Sequence, residues 1–381
     1  MPSASLFQIP DAVAIGGLTV GILSIGGFSV GVLLLAGARF RERRRFWRSG
    51  SKRPPERTLN RMSVVFTDRS VRALLKQGIE RLRAANVPSF TLAAELLLLH
   101  VTGRDRTWLY SHPEETLAEP AVEAYFALIT RRRSGEPTQY LTGKQEFWGL
   151  EFEVTPDVLI PRPETEHLIE VALDRLAVRE IRAGRTPRTS GEGITLVDIG
   201  TGSGCIALTL AKELPAATIY ATDVSKAALN LARRNASRHG LADRVHFIES
   251  NLFEAFRPDA GAVRVAPQLD KASAPLFDLL ISNPPYIGRR EAQLLPVEVR
   301  QHEPEAALCG GDEGYEFYGL LIPEAAWHLK AGGLLVLELG YNSLRAVQPL
   351  LETSHWCAVG VTNDLAGIPR VLAAERLSRP R

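Results

Sequence analysis

Cysteine is scarce in this sequence. Its 381 residues include three cysteines, Cys205, Cys309 and Cys357, which lie far apart in the chain. Their number is small and they show no paired spacing, so neither a disulfide framework nor a zinc knuckle is expected. We therefore expect a protein of a reducing compartment that has no metal site. The apolar fraction of 45% and the charged fraction of 23% are typical of a globular protein with a substantial core.

A strongly basic balance is also lacking. The chain carries 45 Lys and Arg against 43 Asp and Glu, a formal net charge of +2. The positive excess is concentrated in residues 39–61, which open with "RFRERRRFWR", so the body from residue 62 onward is mildly acidic. An acidic body attracts the phosphates of nucleic acid poorly. We therefore expect no direct binding of nucleic acid.

Residues 12–38 contain no charged side chain and are rich in Val, Leu, Ile and Gly. Such a run is long enough to cross a bilayer as one helix, and its basic C-terminal flank would keep the following chain in the cytoplasm. A second explanation is an upstream start assigned in error, because Met62 is the only methionine after Met1. We expect a cytoplasmic catalytic domain, with a single-pass anchor at 12–38 as the sole membrane contact if that segment is native.

Changes of pattern divide the chain into four segments. They are an N-terminal extension at 1–61, a helical domain at 62–143, a β-hairpin linker at 144–160 and an α/β domain at 161–381. Apolar residues at helical spacing predict a first helix capped by Thr67 or Asp68 that ends near Asn86. The same spacing predicts a second helix around 93–101 and a third around 121–133. Helices of this number and length form a compact bundle.

The α/β domain opens with a glycine turn between a strand and a helix. The segments "ITLVDIG", "TGSGCIALTLAKEL" and "TIYATD" indicate one unit of a doubly wound, Rossmann-like parallel sheet. Gly200, Gly202 and Gly204 are spaced G-x-G-x-G, unlike the G-x-G-x-x-G of dinucleotide sites. With Asp198 before the turn, and Asp223 ending the second strand where it can accept both ribose hydroxyls, the pattern predicts a site for S-adenosylmethionine.

The stretch "LLISNPPYIG" ends the predicted fourth strand at the edge of the sheet that faces the cofactor crevice. Pro284 and Pro285 fix their own φ and restrict the residues before them, so Asn283 and Pro284 become rigid. Because proline has no N–H, the Asn283 side-chain oxygen and the Pro284 carbonyl are left to accept both hydrogens of a planar NH₂ group. Tyr286 can stack on that plane. We predict Asn283, Pro284 and Tyr286 as catalytic residues and, with Pro285, as substrate-binding residues.

This corner suits a nitrogen of low reactivity. The lone pair of an amide nitrogen is conjugated with its carbonyl, so the nitrogen is a poor nucleophile. Accepting both of its hydrogens would hold it in line with a sulfonium methyl, and catalysis would come from orientation and fixed dipoles. The exocyclic amine of adenine is also a planar NH₂, so the corner leaves both a protein amide and adenine in DNA open. An inactive, membrane-tethered binding protein is disfavoured by the intact motifs.

The motifs together resemble a known family. "VLIPRPETE" at 158–166, "DIGTGSG" at 198–204, "SNPPYI" at 282–287 and "GGDEGYEFYGLLIPEA" at 310–325 are similar to those of release factor glutamine methyltransferases of the HemK type. The resemblance, over about residues 66–375, implies a class I methyltransferase fold behind a helical domain that docks the substrate. It implies methyl transfer from S-adenosylmethionine to N5 of the glutamine in the Gly-Gly-Gln motif of class I peptide chain release factors, which modulates translation termination.

The resemblance also implies which residues hold the cofactor. They are Gly200, Thr201, Gly202, Ser203, Gly204, Asp223, Leu252 and Asn283. Leu252 departs from the aromatic or bulky residue that commonly packs on adenine, and Asn251 replaces the usual Asp. The composition of residues 257–275 predicts a surface loop. The acidic body and residues 66–166 favour the protein substrate, whereas the alternative, adenine in DNA, would require base flipping and a basic cleft.

Overall fold

A computed structural model of the chain describes residues 22–25, 28–31, 68–182, 184, 190–257 and 275–377. The chain divides into two compact units, residues 1–64 and 65–381. In the first unit, strands β1 (Ile22–Ile25) and β2 (Phe28–Gly31) pair antiparallel. They stand inside the run 12–38, for which a membrane-spanning helix was one of two explanations, and the rest of that run lies outside the described residues. Among the described residues, the helices are too short or too polar to cross a bilayer.

The second unit begins with five helices. They are α1 (Val71–Ala84), α2 (Phe90–Thr102), α3 (Arg106–Ser111), α4 (Glu119–Arg133) and α5 (Thr138–Thr142). Helices α1, α2 and α4 are the three predicted ones, whereas α3 and α5 are too short to give a periodic signal. The predicted cap of α1 was wrong, because Ser70 caps the helix by accepting the N–H of Ala73 at 3.2 Å. Asp68 instead accepts the N–H of Ser70 outside the helix.

These helices enclose an apolar core of their own. Fully buried side chains from α1, α2 and α4 meet at its centre: Leu74, Leu82, Leu97, Leu98, Val122 and Ile129. Burying one such side chain stabilises a fold by about 1.5–3 kcal/mol relative to leaving it exposed. The helical part is therefore held together by its own apolar contacts.

A β-hairpin follows the helices, as predicted. Strands β3 (Lys144–Phe147) and β4 (Leu150–Glu153) pair antiparallel across the turn residues Trp148 and Gly149. Both turn residues have a positive φ, 52° and 67°, which matches the twist of a two-residue hairpin turn. Phe152 is buried against the core of the main sheet, so the hairpin is fixed to the α/β part.

The remaining strands build the α/β part. They are β5 (Thr195–Ile199), β6 (Thr218–Asp223), β7 (Val245–Glu249), β8 (Phe277–Ser282), β9 (Ile287–Gly288), β10 (Cys309–Gly311), β11 (Leu329–Glu338), β12 (Trp356–Asn363) and β13 (Pro369–Arg376). Seven of them form one sheet in the order β12-β13-β11-β8-β5-β6-β7, and β9 pairs with β10. Strand β13 runs antiparallel to both of its neighbours, β11 and β12, and the other neighbouring pairs of the large sheet are parallel. The order reverses between β5 and β8, where a doubly wound sheet opens its binding crevice.

The described α/β part also contains eight helices: α6 (Glu166–Arg182), α7 (Cys205–Glu213), α8 (Lys226–Arg238), α9 (Arg289–Ala292), α10 (Val297–His302), α11 (Glu305–Leu308), α12 (Glu316–His328) and α13 (Leu344–Val347). Helices α6, α7 and α8 contribute to the apolar core on one face of the sheet, and α12 and α13 contribute to the core on the other face. Leu279 and Ile281 of β8 belong to the apolar core on one face, and Leu280 belongs to the core on the other. Burial on both faces explains the continuous apolar run of this strand. The predicted Rossmann-like fold is confirmed, while residues 258–274 of the predicted loop lie outside the described residues.

Replacing Leu97 with Ala tests the helical core. Because the Leu97 side chain is fully buried, the variant should lose about 2–5 kcal/mol of unfolding free energy, measured by denaturant titration. The neighbouring Leu96 is 37% exposed, and its replacement by Ala should cost less than about 1 kcal/mol. Equal losses in the two variants would contradict the assignment of this core.

Candidate active site

The carboxyl ends of β5, β6 and β8 open onto one cavity of about 220 Å³. Seven of the eight predicted cofactor residues lie on its wall: Gly200, Thr201, Gly202, Ser203, Asp223, Leu252 and Asn283. The eighth, Gly204, is not on the wall. A Cβ at Gly204 would lie 3.2 Å from the Cβ of Ala232, so this glycine allows α7 and α8 to pack closely.

The glycine turn has a conformation that other residues adopt at a cost. Gly200 and Gly202 have φ angles of +77° and +54°, in the left-handed region. The N–H of Gly202 donates to Asp223 Oδ2 at 2.9 Å, and the N–H of Ser225 donates to Asp223 Oδ1 at 2.8 Å. Burial raises the pKa of Asp223, and these two hydrogen bonds act in the opposite direction. Asp223 thereby ties the turn to the end of β6 and keeps free lone pairs for a ligand.

Asp198 is a fully buried acid at the end of β5. Its Oδ2 accepts the Thr201 hydroxyl at 2.7 Å, but its Oδ1 has no hydrogen-bond partner among the described residues. The buried hydroxyl of Ser203, on the cavity wall, likewise finds no partner in the described part of the chain. Burial raises the pKa of Asp198 to about 7, and the nearby Asp223 adds to the shift. Asp198 is not on the cavity wall, and it acts there through Thr201. The unpartnered Ser203 hydroxyl and the Asp223 oxygens are on the wall, so the site fits a ligand with polar groups such as S-adenosylmethionine.

Leu252, which stands in the predicted adenine position, lies on the same wall. Its φ of +48° is rare for a bulky side chain. The Ser250 hydroxyl donates to the Leu252 carbonyl at 2.9 Å and accepts the N–H of Ala255, which holds this loop in place. Asn251 also lines the cavity, and its amide donates to Glu254. Both departures from the family pattern therefore face the cofactor cavity.

Asn283 has a defined amide orientation. Its Nδ2 donates to Thr165 Oγ1 at 3.2 Å, which leaves Oδ1 as the acceptor. Asn283 and Pro285 line the cavity, whereas Pro284 and Tyr286 do not. The Tyr286 ring packs against the apolar core of one sheet face, and its hydroxyl donates to Glu338 at 3.2 Å. Stacking of Tyr286 on a substrate thus stays a prediction.

Three polar residues of the site were missed from the sequence. Thr165 and Arg162 lie on the cavity wall within the "VLIPRPETE" motif, and Arg162 forms an ion pair with the buried Glu303. Glu338 is 1% exposed and accepts the Thr165 hydroxyl at 2.7 Å. The sequence signal that could have pointed to Glu338 is a carboxylate at the end of an apolar strand, in "LLVLELG".

Burial raises the pKa of Glu338 to about 7, whereas the hydrogen bonds from Thr165 and Tyr286 and the charge of Arg370 lower it. An ionisable group that is fully buried is costly for a fold. Such perturbed groups cluster at functional sites. Glu338 therefore belongs to the candidate site although it does not reach the cavity.

Glycines of the "GGDEGYEF" segment pack against the Asn-Pro-Pro-Tyr corner. A Cβ at Gly310 would lie 2.5 Å from the Pro285 carbonyl oxygen, and one at Gly314 would lie 2.5 Å from the Tyr286 carbonyl oxygen. Distances this short are not tolerated between these atoms, so only glycine lets the two backbones meet. The pairing of β9 with β10 depends on this approach, and it buttresses the corner.

Comparisons with known proteins agree with this geometry. A family model described as the PrmC N-terminal domain matches residues 73–143, and one described as a methyltransferase small domain matches residues 187–298. The release factor glutamine methyltransferase of Koribacter versatilis is 41% identical over 299 residues, 78% of this chain and 96% of that protein. The protein of the same name from Chlorobaculum tepidum is 40% identical over 304 residues, 80% of this chain and 96% of that protein.

Solved structures were also compared. A protein-(glutamine-N5) methyltransferase (release factor-specific) from Alicyclobacillus acidocaldarius is 26% identical and superposes with a TM-score of 0.34. The superposition covers 60% of this chain and 100% of that chain.

The buried charge of Asp198 should make cofactor binding depend on pH. Because burial raises its pKa to about 7, Asp198 loses its charge as pH falls through 7 and no longer attracts a cationic ligand. We expect the dissociation constant of S-adenosylmethionine, measured by calorimetry, to rise by roughly tenfold from pH 8 to pH 6. The variant Asp198→Asn should bind weakly at both pH values. A variant with the wild-type pH profile would show that another group titrates.

Proposed function

The chain belongs to the release factor glutamine methyltransferase family, and we propose that it methylates the glutamine of the Gly-Gly-Gln motif in a class I peptide chain release factor. The methyl group comes from S-adenosylmethionine and is transferred to the side-chain amide nitrogen, N5. One observation carries the proposal. Asn283 lies on the cofactor cavity with its own amide nitrogen bound to Thr165, so its oxygen is left to accept a hydrogen from another amide.

We propose that the glycine turn, Asp198 and Asp223 hold the cofactor. When bound, S-adenosylmethionine supplies a methyl group activated by the positive sulfur. The Asp223 oxygens each accept one backbone N–H and keep a lone pair for a ribose hydroxyl. The buried charge of Asp198 favours the positive charges of the ligand, and Leu252 with Asn251 lines the part of the cavity assigned to adenine.

The Asn-Pro-Pro-Tyr corner would hold the substrate amide. Asn283 Oδ1 and the Pro284 carbonyl each accept one hydrogen of the glutamine NH₂, which increases electron density on nitrogen and fixes its direction. Tyr286 closes the corner from the side of the core. The corner needs no strong base, because the amide proton becomes acidic only as the new N–C bond forms and is then lost to water.

The remaining segments have proposed roles too. The helical domain at 62–143 would dock the release factor, the hairpin at 144–160 would join the domains, and the domain at 161–381 would carry out the chemistry. The helical part exposes Leu92 and Tyr110, apolar surface that a protein partner can cover. We place the catalytic part in the cytoplasm, where its substrate acts, and an anchor at 12–38 stays a hypothesis.

Adenine in DNA is the alternative substrate for the same pocket. The relatives compared above are named for release factors, and they match this chain along almost their entire length. The protein amide is therefore the substrate that we propose.

Mass spectrometry tests the proposal directly. After incubation with S-adenosylmethionine and a release factor, the digested Gly-Gly-Gln peptide should carry one added methyl group. The variant Asn283→Ala lacks one acceptor, so its turnover should fall by about 100- to 1,000-fold while much of the cofactor binding remains. An unmodified peptide together with methylated adenine in DNA would establish the alternative, and full activity of Asn283→Ala would refute the pocket.

The glycine support of the corner can be tested separately. In Gly310→Ala the new Cβ would lie 2.5 Å from the Pro285 carbonyl oxygen, so the corner must shift. We expect turnover of the release factor to fall about 100-fold, because small displacements of a positioning group have effects of that size. Gly319→Ala is the matched control, since among the described residues nothing beyond its chain neighbours and its own helix backbone lies within 4 Å of the added Cβ. Similar turnover in both variants would mean that the corner does not depend on this contact.

A further inference from the structure

We propose that Thr165 and Glu338 fix which end of the Asn283 amide faces the substrate, and thereby make the site accept a carboxamide and reject a carboxylate. This inference rests on the proposed function and deepens it. It assigns Thr165 and Glu338 as positioning residues that determine specificity.

Three side chains form a continuous chain of hydrogen bonds from the core to the cavity. Thr165 Oγ1 donates to Glu338 Oε2 at 2.7 Å, and Asn283 Nδ2 donates to Thr165 Oγ1 at 3.2 Å. Glu338 is 1% exposed and Thr165 is 2% exposed, so the bond between them is shielded from water, whereas Asn283 is half-buried. Asn283 stands at the end of the chain, on the cavity wall.

Which group donates in each of these hydrogen bonds follows from which groups carry hydrogen. Above the raised pKa of about 7, Glu338 is ionised and only accepts hydrogen bonds, so it takes the single hydroxyl hydrogen of Thr165. The Thr165 oxygen then has only lone pairs to offer, and it binds the NH₂ end of the Asn283 amide. A reversed Asn283 would place its oxygen against the Thr165 oxygen without a hydrogen between them.

The second carboxylate oxygen of Glu338 binds Tyr286, at the other end of the Asn-Pro-Pro-Tyr corner. Tyr286 Oη donates to Glu338 Oε1 at 3.2 Å, so one carboxylate holds both Tyr286 and, through Thr165, Asn283. The position of Glu338 is itself fixed, because the hydroxyl of the buried Tyr318 donates to its backbone carbonyl at 2.7 Å. A single buried acid therefore sets the geometry of two predicted catalytic residues.

Specificity follows from the orientation of Asn283. With Oδ1 toward the cavity, the corner offers acceptors, which pair with the NH₂ of glutamine and repel the oxygens of a glutamate carboxylate. With Nδ2 toward the cavity, the preference would be reversed. Discrimination of this kind is strong, since a mismatched polar group is left buried and unpaired.

Two substitutions at one position isolate the Thr165 hydroxyl. Thr165→Val keeps the shape of the side chain but removes the hydroxyl, whereas Thr165→Ser keeps the hydroxyl. We expect turnover of a Gly-Gly-Gln peptide to fall about 100-fold in Thr165→Val and to stay within about threefold of wild type in Thr165→Ser. The cofactor dissociation constant of both variants should remain close to wild type, whereas the thermal midpoint of Thr165→Val should fall by a few degrees because the buried Glu338 loses one of its donors.

Thr209→Val is the matched control, because it also replaces a buried threonine with valine. Thr209 is fully buried in α7, and its hydroxyl has no hydrogen-bond partner within the described residues. Its replacement should leave turnover unchanged. If Thr209→Val lowers turnover as much as Thr165→Val, the effect of the latter belongs to packing and the proposal fails.

Competition by a Gly-Gly-Glu peptide measures the orientation of Asn283 itself. The wild type should bind the Gly-Gly-Gln peptide much more tightly than the Gly-Gly-Glu peptide, and Thr165→Val should reduce this ratio by at least about tenfold. Glu338→Gln should reduce it too, because a carboxamide cannot accept from both Thr165 and Tyr286 through two oxygens.

The outcomes separate this inference from the proposed function. A wild-type enzyme that leaves the Gly-Gly-Gln glutamine unmodified would remove the proposed function. A wild-type enzyme that methylates it, with Thr165→Val retaining both the rate and the discrimination between the two peptides, would overturn the role of Thr165 and Glu338 alone.

Discussion

The hydrogen bond from the Asn283 amide to Thr165 is the contact on which the acceptor side of the site depends. An asparagine side chain presents a donor at one end and an acceptor at the other, and nothing in its shape decides between them. Pro284 and Pro285 have no backbone N–H, so the chemistry of the pocket is set by which end of Asn283 is free. Thr165 makes that choice, and the buried Glu338 enforces it.

Two buried acids at this site lower the stability of the fold. Asp198 and Glu338 are both fully buried carboxyls whose pKa values burial raises to about 7, and each adjoins a residue of the cofactor cavity. Burial of an acid opposes folding, so the apolar layers on both faces of the sheet must compensate. Strand β8 illustrates the arrangement, because Leu279, Leu280 and Ile281 anchor it in both layers just before Asn283. Because the strand is held in place, the Asn-Pro-Pro-Tyr corner that follows it is held in place too.

Sequence patterns predicted the sheet, the three longer helices of the helical part, the hairpin and the glycine-turn side of the cavity wall. These features are local: glycine spacing fixes the turn at Gly200 to Gly204, and apolar runs mark the strands. Thr165 and Glu338 escaped prediction because they are 173 residues apart and acquire their role only through contact across the fold. The cap of α1 was misplaced because Asp68 and Ser70 are both good capping residues, and only the backbone path shows that Ser70 makes the bond. The role of the glycines in "GGDEGYEF" could not be predicted either, because it depends on their close approach to the backbone of Pro285 and Tyr286.

The central claim is that a rigid corner without donors receives both hydrogens of a glutamine amide. A crystal structure of the chain with S-adenosylhomocysteine and a Gly-Gly-Gln peptide measures this directly. We expect the glutamine nitrogen to lie about 2.9 Å from both Asn283 Oδ1 and the Pro284 carbonyl oxygen, with Asn283 Nδ2 still on Thr165. A complex in which the glutamine nitrogen contacts neither oxygen, or in which Asn283 has turned its nitrogen toward the peptide, would contradict the account.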